Sequence, residues 1–299
     1  MTVKTRLLLQ LYPSFLLLLF GRFKVSSLEG GNCTVTNPLR YAPLNMRDAV
    51  HGEPEKYVIL RRDFYEGICP FCNRVLEIGI ALILRHKESG SMCGAGPECG
   101  PKRADNPKGY PDFTRGSVAE AAGGKCDKSS PGGRRGSYDA EWNEGAKDLA
   151  RAIEYLELRQ LRLKDFGNFK SPALAPLLDK HLQGSLDARD VAKILHFAQN
   201  AKSKDPMLSL ANLQACYAFD HWLERAIGKS RRDGKDSSDP QELRVKLCKW
   251  GYLTAWQVNQ AKDCFEKLSR VPRLRSGTFA DVERFQNEKW AAKRQSAST

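Results

Sequence analysis

Four cysteines in one short window, Cys69, Cys72, Cys93 and Cys99, are the residues best placed to do chemistry. They form two close pairs, Cys69-Pro70-Phe71-Cys72 and Cys93 to Cys99, separated by twenty residues. A Cys-x-x-Cys turn points two sulfurs inward, and backbone N–H groups in the turn can donate to the thiolates. Two such pairs, joined by a hairpin, supply the four soft ligands of a tetrahedral zinc ion. Four thiolates leave no open coordination position, so the expected metal is structural. Two other uses compete: a pair of disulfides, or a redox Cys-x-x-Cys. The redox use wants a βαβ context, whereas Val75 to Leu84 is an apolar, β-like run.

The elements that must position these thiols are short. Tyr57 to Leu60 reads as a buried strand, and Arg61 to Ile68 leads from it into the first pair. Val75 to Leu84 carries the chain away and back, and His86 to Gly90 marks a turn before the second pair. From about Asp63 to Lys102 the chain resembles zinc ribbons as a class. That resemblance implies a small β module, with zinc as cofactor and Cys69, Cys72, Cys93 and Cys99 as ligands. The second pair departs from the usual spacing, being Cys-x5-Cys, so its knuckle must be a wider glycine-rich loop. Cys99 therefore has two alternatives as fourth ligand, His86 and Cys126.

The remaining cysteines, Cys33, Cys126, Cys216, Cys248 and Cys264, are scattered, and the last three sit in helical patterns where a lone cysteine is a small core residue. Across 299 residues, 41% are hydrophobic and 28% charged, so a folded protein is expected and wholesale disorder is not. The net charge of +13 favours a polyanionic partner, DNA, RNA or an anionic membrane surface.

Residues 1–27 form a signal-like apolar segment, with Lys4 and Arg6 ahead of Leu7 to Phe20. Met46 opens a stretch that reads like the start of a soluble domain, so the preceding residues are alternatively an upstream extension. The apolar start keeps membrane contact and export open. A reduced thiolate set instead suits a reducing compartment and favours an intracellular location over secretion.

Residues 46–101 are thus expected to form the zinc-ribbon-like module. Residues 102–137, rich in glycine, proline and basic side chains, read as a flexible linker. Lys102, Arg103, Lys125, Lys128, Arg134 and Arg135 are the candidate phosphate contacts. Phe64, Tyr65 and Phe71 are candidates to stack on single-stranded bases.

Residues 138–299 read as helical. Trp142, Leu149, Ile153, Leu156 and Leu163 give an amphipathic helix from about Ala140. Three similar units follow, each a turn residue, a leucine, a capping residue and a helix. Asp187, Ser209 and Thr254 are the expected N-caps, and Thr254 with Gln257 makes a capping box. Val191, Leu213 and Val258 then fall at matching places, followed by Ile194, Cys216 and Ala261. Asp239 is expected to cap a further helix.

No histidine stands in a metal-protease arrangement, and no phosphate loop, nucleophile elbow or dinucleotide fingerprint is present. The fold class expected is α+β, a zinc-ribbon-like β module followed by a mainly helical domain. The function expected is a nucleic-acid-binding accessory protein whose helices scaffold the module or meet another protein. The alternatives are a zinc-stapled protein–protein interaction protein and an exported, disulfide-bonded one.

Overall fold

The computed structural model describes residues 56–76, 79–104, 109–115, 144–268, 271 and 277–296. All of them fall within one compact unit, 37–299. The signal-like segment, Cys33, Met46, Cys126, Lys125, Lys128, Arg134, Arg135 and Trp142 lie outside the described residues. The architecture is α+β: a three-stranded antiparallel sheet followed by helices.

The sheet runs β1 (Tyr57–Phe64), β2 (Ile80–His86), β3 (Met92–Ala95), in that order. Tyr57 pairs with His86 and Phe64 with Ile80, with an irregularity between Ile59 and Arg61. That extra residue shifts the side-chain alternation. Tyr57 and Ile59 pack with Leu82, Leu84, Cys69 and Cys93, whereas Phe64 joins the core of the helical half. The strand is thus shared between two cores.

Beyond β3, Cys99 leads into a single helical turn, α1 (Gly100–Arg103). The expectation of a flexible linker from 102 to 137 fails for residues 109–115. Arg62 donates its backbone N–H to the Pro111 carbonyl (2.9 Å) and the Phe113 N–H donates to the Arg62 carbonyl (3.0 Å). This pairing covers the outer edge of β1, a row of backbone groups that would otherwise face solvent. Phe113 is fully buried in the helical core. Gly109 (φ 149°) lies against the next helix, where a Cβ would stand 2.9 Å from the Ala146 carbonyl oxygen. The stretch has few large apolar groups, but one phenylalanine and an exposed strand edge suffice to anchor it.

The helical half contains α2 (Glu144–Glu157), α3 (Ala175–Leu182), α4 (Ala188–Lys204), α5 (Leu210–Arg232), α6 (Ser238–Trp250), α7 (Ala255–Glu266) and α8 (Ala280–Ser296). Helix α5 is the central one, with Tyr217, Phe219, Trp222 and Leu223 buried. No helix among the described residues is long and apolar enough to cross a membrane.

The three repeated helix starts are built as their sequences require. Asp187 accepts from the Asp190 N–H and closes a capping box, Ser209 accepts from Asn212, and Thr254 forms its box with Gln257. Leu213 and Val258 are buried, as are Ile194, Cys216 and Ala261. Gly251 closes α6 in the left-handed region (φ 70°), where a Cβ would also meet Phe169 at 2.7 Å. Helix α6 starts with Ser237 as its cap, and Asp239 falls in its first turn instead.

Of the apolar stripe expected for α2, Leu156 and Leu163 are buried and Ile153 is half-buried, but Leu149 is exposed, and Glu154 and Tyr155 are buried as well. The helix continues as a π-helical turn, Leu158–Arg162, closed by the Leu163 N–H on the Leu158 carbonyl. The wider turn brings Arg159 and Arg162 into the interior, both at most 5% exposed. Arg162 donates to Asp63 Oδ2 (2.7 Å), to Glu157 (2.9 Å) and to the Tyr217 hydroxyl (2.8 Å). Its guanidinium also lies 3.7 Å from the Phe113 ring centroid. Asp63 belongs to β1, Glu157 to α2 and Tyr217 to α5, so one arginine ties the sheet to the helices. Burial opposes the arginine's charge, but Asp63, Tyr217 and Glu157 raise its pKa above the ordinary range.

Candidate metal centre

The sequence from Cys69 to Asn73 folds as a tight turn. Asn73 donates its N–H to the Cys69 carbonyl (2.8 Å), and Cys69 donates to the Arg74 carbonyl (2.9 Å). Asn73 takes a left-handed conformation (φ 55°), which asparagine tolerates better than most side chains. The second side comes from the loop ahead of α1. Both the Cys99 and Gly100 N–H groups donate to the Gly96 carbonyl (3.1 and 2.9 Å), turning Cys99 toward the first knuckle.

The sulfurs of Cys69, Cys72 and Cys99 all lie within 4.8 Å of one another. Thiolates about 2.3 Å from a tetrahedral zinc stand about 3.8 Å apart, so this group needs little movement to close on one. Cys69 is buried, Cys99 half-buried and Cys72 exposed, placing the centre at the protein surface. Among the described residues it is the one group of three or more His, Cys, Asp or Glu side chains that could hold a metal ion.

Cys93 stands outside this three-sulfur group. It pairs with Leu84 across β2 and β3 and is buried on the same face as Cys69. Burial and the charge of Cys69 push its thiol up to about 12, so the two sulfurs feel each other. His86 is at the far end of β2, its Nδ1 near the Ser89 N–H and hydroxyl and its ring edge-on to Tyr57. It is not among the grouped ligands.

Within the group, the Arg74 N–H donates to the Cys72 sulfur and holds that thiol below its ordinary pKa, with Cys99 and Cys69 acting in the same direction. Burial and the two neighbouring sulfurs push Cys99 up to about 12. Crowded, partly buried sulfurs resist ionising together, and a cation that replaces their protons supplies the counter-charge that holds them as thiolates.

The surface around the group carries three basic side chains against one acidic neighbour, Glu98, and is partly apolar. Lys102 and Arg103, on α1, are exposed, as is Arg74. The Arg103 guanidinium lies 5.9 Å from the centroid of the half-buried Phe71 ring. Ile68 and Val75, bridged to each other across the knuckle, are exposed. Two of the three aromatic candidates are not open platforms. Phe64 is buried and stacks on His221 (4.3 Å between centroids). The Tyr65 ring lies against Gly67 and Gly94, where a Cβ would come within 2.6 and 2.4 Å of it. Proximity to the cysteines in sequence does not tell which way a side chain faces.

Glu154 is a buried carboxylate that no motif in the sequence marks. It is fully buried, accepting the Asp112 N–H (2.7 Å) and the Gln214 side-chain amide (2.8 Å). Its only signal is its spacing of four from Ala150 and from Leu158, both buried on the same helix face. Burial pushes its carboxyl up to about 7, against the pull of Arg115 and of its hydrogen bonds. A folded-state pKa raised above the unfolded value favours the fold at low pH, and that contribution fades as pH rises through about 7. Glu154→Gln keeps an acceptor for Asp112 and cannot ionise. It is expected to be more stable than the parent at pH 8 by about 2 kcal/mol, with little difference at pH 4. Urea unfolding of both proteins at the two pH values checks this.

Compared with known proteins, the chain matches no protein-family model, no curated protein and no solved structure.

Proposed function

We propose that this chain is a nucleic-acid-binding accessory protein whose small β module is stapled by a structural zinc ion. Cys69, Cys72 and Cys99 hold the metal, and Cys93 moves in from the adjacent strand as the fourth thiolate. The observation that carries this reading is the three-sulfur group, with the exposed Arg74, Lys102 and Arg103 close to it in the chain and Arg103 over the Phe71 ring. The metal fixes the knuckle, the cations neutralise phosphates, and Phe71 offers a ring edge to a base. Lys125, Lys128, Arg134 and Arg135 extend the same chemistry outside the described residues. The helices act as scaffold, and a reducing, intracellular compartment suits the thiolates.

The test is a titration of DNA and RNA, single- and double-stranded, at several salt concentrations. The log–log salt slope is expected at roughly −0.7 to −0.9 per phosphate contacted. Neutralising Arg74, Lys102 and Arg103 together should flatten the slope by about two without lowering the melting temperature. A metal-loaded, folded protein that binds none of these at low salt rejects the reading. One observation would then favour a protein partner: the exposed apolar pair Ile68 and Val75 at the rim of the knuckle.

A further inference from the structure

We propose a second contact surface for single-stranded nucleic acid, a tryptophan–lysine edge formed by Trp250, Trp256 and Trp290. It rests on the nucleic-acid reading above and extends it from the metal module to the far helices. A tryptophan ring is large and apolar, and leaving it in water forgoes much of its burial energy. Trp222 is fully buried here, whereas Trp250, Trp256 and Trp290 are 49%, 64% and 54% exposed.

The elements that carry the three rings are fastened to one another. Trp250 is the last residue of α6, and Trp256 the second residue of α7, with the tight Gly251–Thr254 connection between them. That connection is fixed from below: the Gly251 carbonyl accepts from the Asn212 amide (2.9 Å) and the Cys216 thiol (3.0 Å). Helix α8 is fastened to the same place, because Glu283 accepts the Ala255 N–H (3.1 Å) and Gln286 reaches the Met207 sulfur (2.9 Å). Trp290 follows Glu283 by seven residues. Seven residues are nearly two full turns, so it shares the Glu283 face about 10 Å further along α8. From Asn287 to Ser296 every residue of α8 is exposed, so this end of the helix has no cover from the described residues.

The charge of the edge selects the partner. From Leu243 to Lys262 the sequence contains Arg244, Lys246, Lys249 and Lys262 and no acidic residue. Beyond Glu288 it adds Lys289, Lys293 and Arg294 and again none. Arg244 and Lys246 are engaged with Asp220 and Glu242, and Glu283 and Glu288 temper the α8 side, so the surplus is carried by the lysines beside the rings. The Lys249 ammonium lies 4.8 Å from the Trp250 ring centroid and Lys293 5.8 Å from that of Trp290. An aromatic face flanked by a cation matches an unpaired base followed by its phosphate. Amide side chains flank Trp256, namely Gln257, Asn259 and Gln260, and they suit base edges better than acyl chains. A duplex keeps its base faces stacked inside, so single strands are the form this edge can use.

The test uses full-length, metal-loaded protein and a labelled oligothymidylate of about sixteen nucleotides. Trp256→Ala and Trp290→Ala are each expected to weaken binding roughly five- to hundred-fold, while Trp290→Phe retains most of the affinity. Both positions are exposed, and circular dichroism melting checks that the variants remain folded. Affinity for a duplex of the same length should not change with either variant. Unchanged oligothymidylate binding in both alanine variants overturns the inference. So does tighter binding to phosphatidylserine–phosphatidylcholine vesicles than to the oligonucleotide, or a self-association that the alanine variants abolish while oligonucleotide binding stays intact. If neutralising Arg74, Lys102 and Arg103 weakens binding and the tryptophan variants do not, the edge fails and the metal-module reading stands. The reverse pattern supports the edge and removes the knuckle from the interface, and no binding at all rejects both.

Discussion

Replacing Arg162 with alanine is expected to lower folding stability by about 3–5 kcal/mol, the cost of leaving buried charge without its partner. Asp63 is 1% exposed, and its Oδ2 accepts from Arg162 (2.7 Å) and Arg61 (2.9 Å). Its Oδ1 accepts from the Tyr217 hydroxyl and from the Phe64 N–H, both at 2.9 Å. Without Arg162, Asp63 keeps one part-buried cation, and Glu157 keeps His181 at 3.1 Å. The truncation also opens a gap over Phe113. This figure is the cost of breaking the network, not the worth of building it. Arg162→Met combined with Asp63→Asn should therefore cost less than the two changes summed. Acid adds a second signature. Burial alone would raise the Glu157 carboxyl, but Arg162 and the His181 hydrogen bond outweigh it and hold it at about 2. A depressed folded-state pKa gives stability that is present above about 4.5 and lost as pH falls toward 2. The parent should lose stability over that window, and Arg162→Ala should lose much less. Because Arg162 joins β1 to α2 and α5, the loss should appear in one transition. Helical dichroism and the reactivity of the buried Cys69 and Cys93 thiols should change at the same urea concentration. Two separated transitions would show that the sheet and the helices do not depend on this arginine in common.

The features legible in the sequence were those written in local chemistry. Asp187, Ser209 and Thr254 cap their helices because a short polar side chain before an apolar repeat has one favourable place to go. The leucine ahead of each cap and the apolar residue four positions after the cap mark the buried face for the same reason. The β module was legible from Tyr57 to Leu60 and from the run ending at Leu84, where β-branched and leucine residues alternate with turn signals. Harder to see was anything whose partner lies far along the chain. Asp63 and Arg162 are 99 residues apart and Asp63 and Tyr217 are 154 apart. Nothing in the local pattern distinguishes such an arginine from a solvated one. The π-helical turn is invisible for a related reason: Leu158 to Arg162 reads as ordinary helix, and the turn widens to deliver Arg159 and Arg162 inward.

The candidate site divides along the same line. The Cys-x-x-Cys knuckle is a local object, and Cys69 and Cys72 are grouped by their own turn. Cys99 joins them across a loop that needs Gly96 to accept two N–H groups, a geometry that spacing alone leaves open between Cys99, His86 and Cys126. Cys93 is held by its strand register opposite Leu84, and whether it meets a metal depends on a strand end moving toward the other three sulfurs. Burial also decided which aromatics near the site face solvent. Phe64 looks equivalent to Phe71 in sequence, yet it is buried in the helical core against Tyr217, His221 and Trp222.

Replacing Cys69 with serine is expected to abolish tight zinc binding and to unfold the module around it. Structural zinc in small sites supplies an apparent free energy on the order of 10 kcal/mol at neutral pH, more than so small a β core can replace. Cys69 is the fully buried member of the three-sulfur group, and it sits against Tyr57, Ile59 and Leu84 at the centre of that core. A serine hydroxyl there is a poor zinc ligand and is also a polar group among apolar neighbours. Chelating the metal from the parent should reproduce the same state reversibly. Acid should do so too, because metal binding requires deprotonated thiols, and Cys93 and Cys99, both pushed up to about 12 in the absence of metal, compete with it for protons. The damage should spread to the helices, since Asp63 and Phe64 belong to β1 and their partners Arg162, Tyr217 and His221 lie in the helical core. Cys93→Ser separates two versions of the centre. If Cys93 completes a four-thiolate set, its serine variant should lose zinc affinity as severely as Cys99→Ser, and its cobalt(II) form should show weaker thiolate-to-metal absorption. If zinc affinity and the cobalt spectrum are unchanged in Cys93→Ser while Cys99→Ser loses both, the centre is a three-thiolate site. Parent protein purified under reducing conditions that carries no zinc and takes up none would remove the metal from the account altogether.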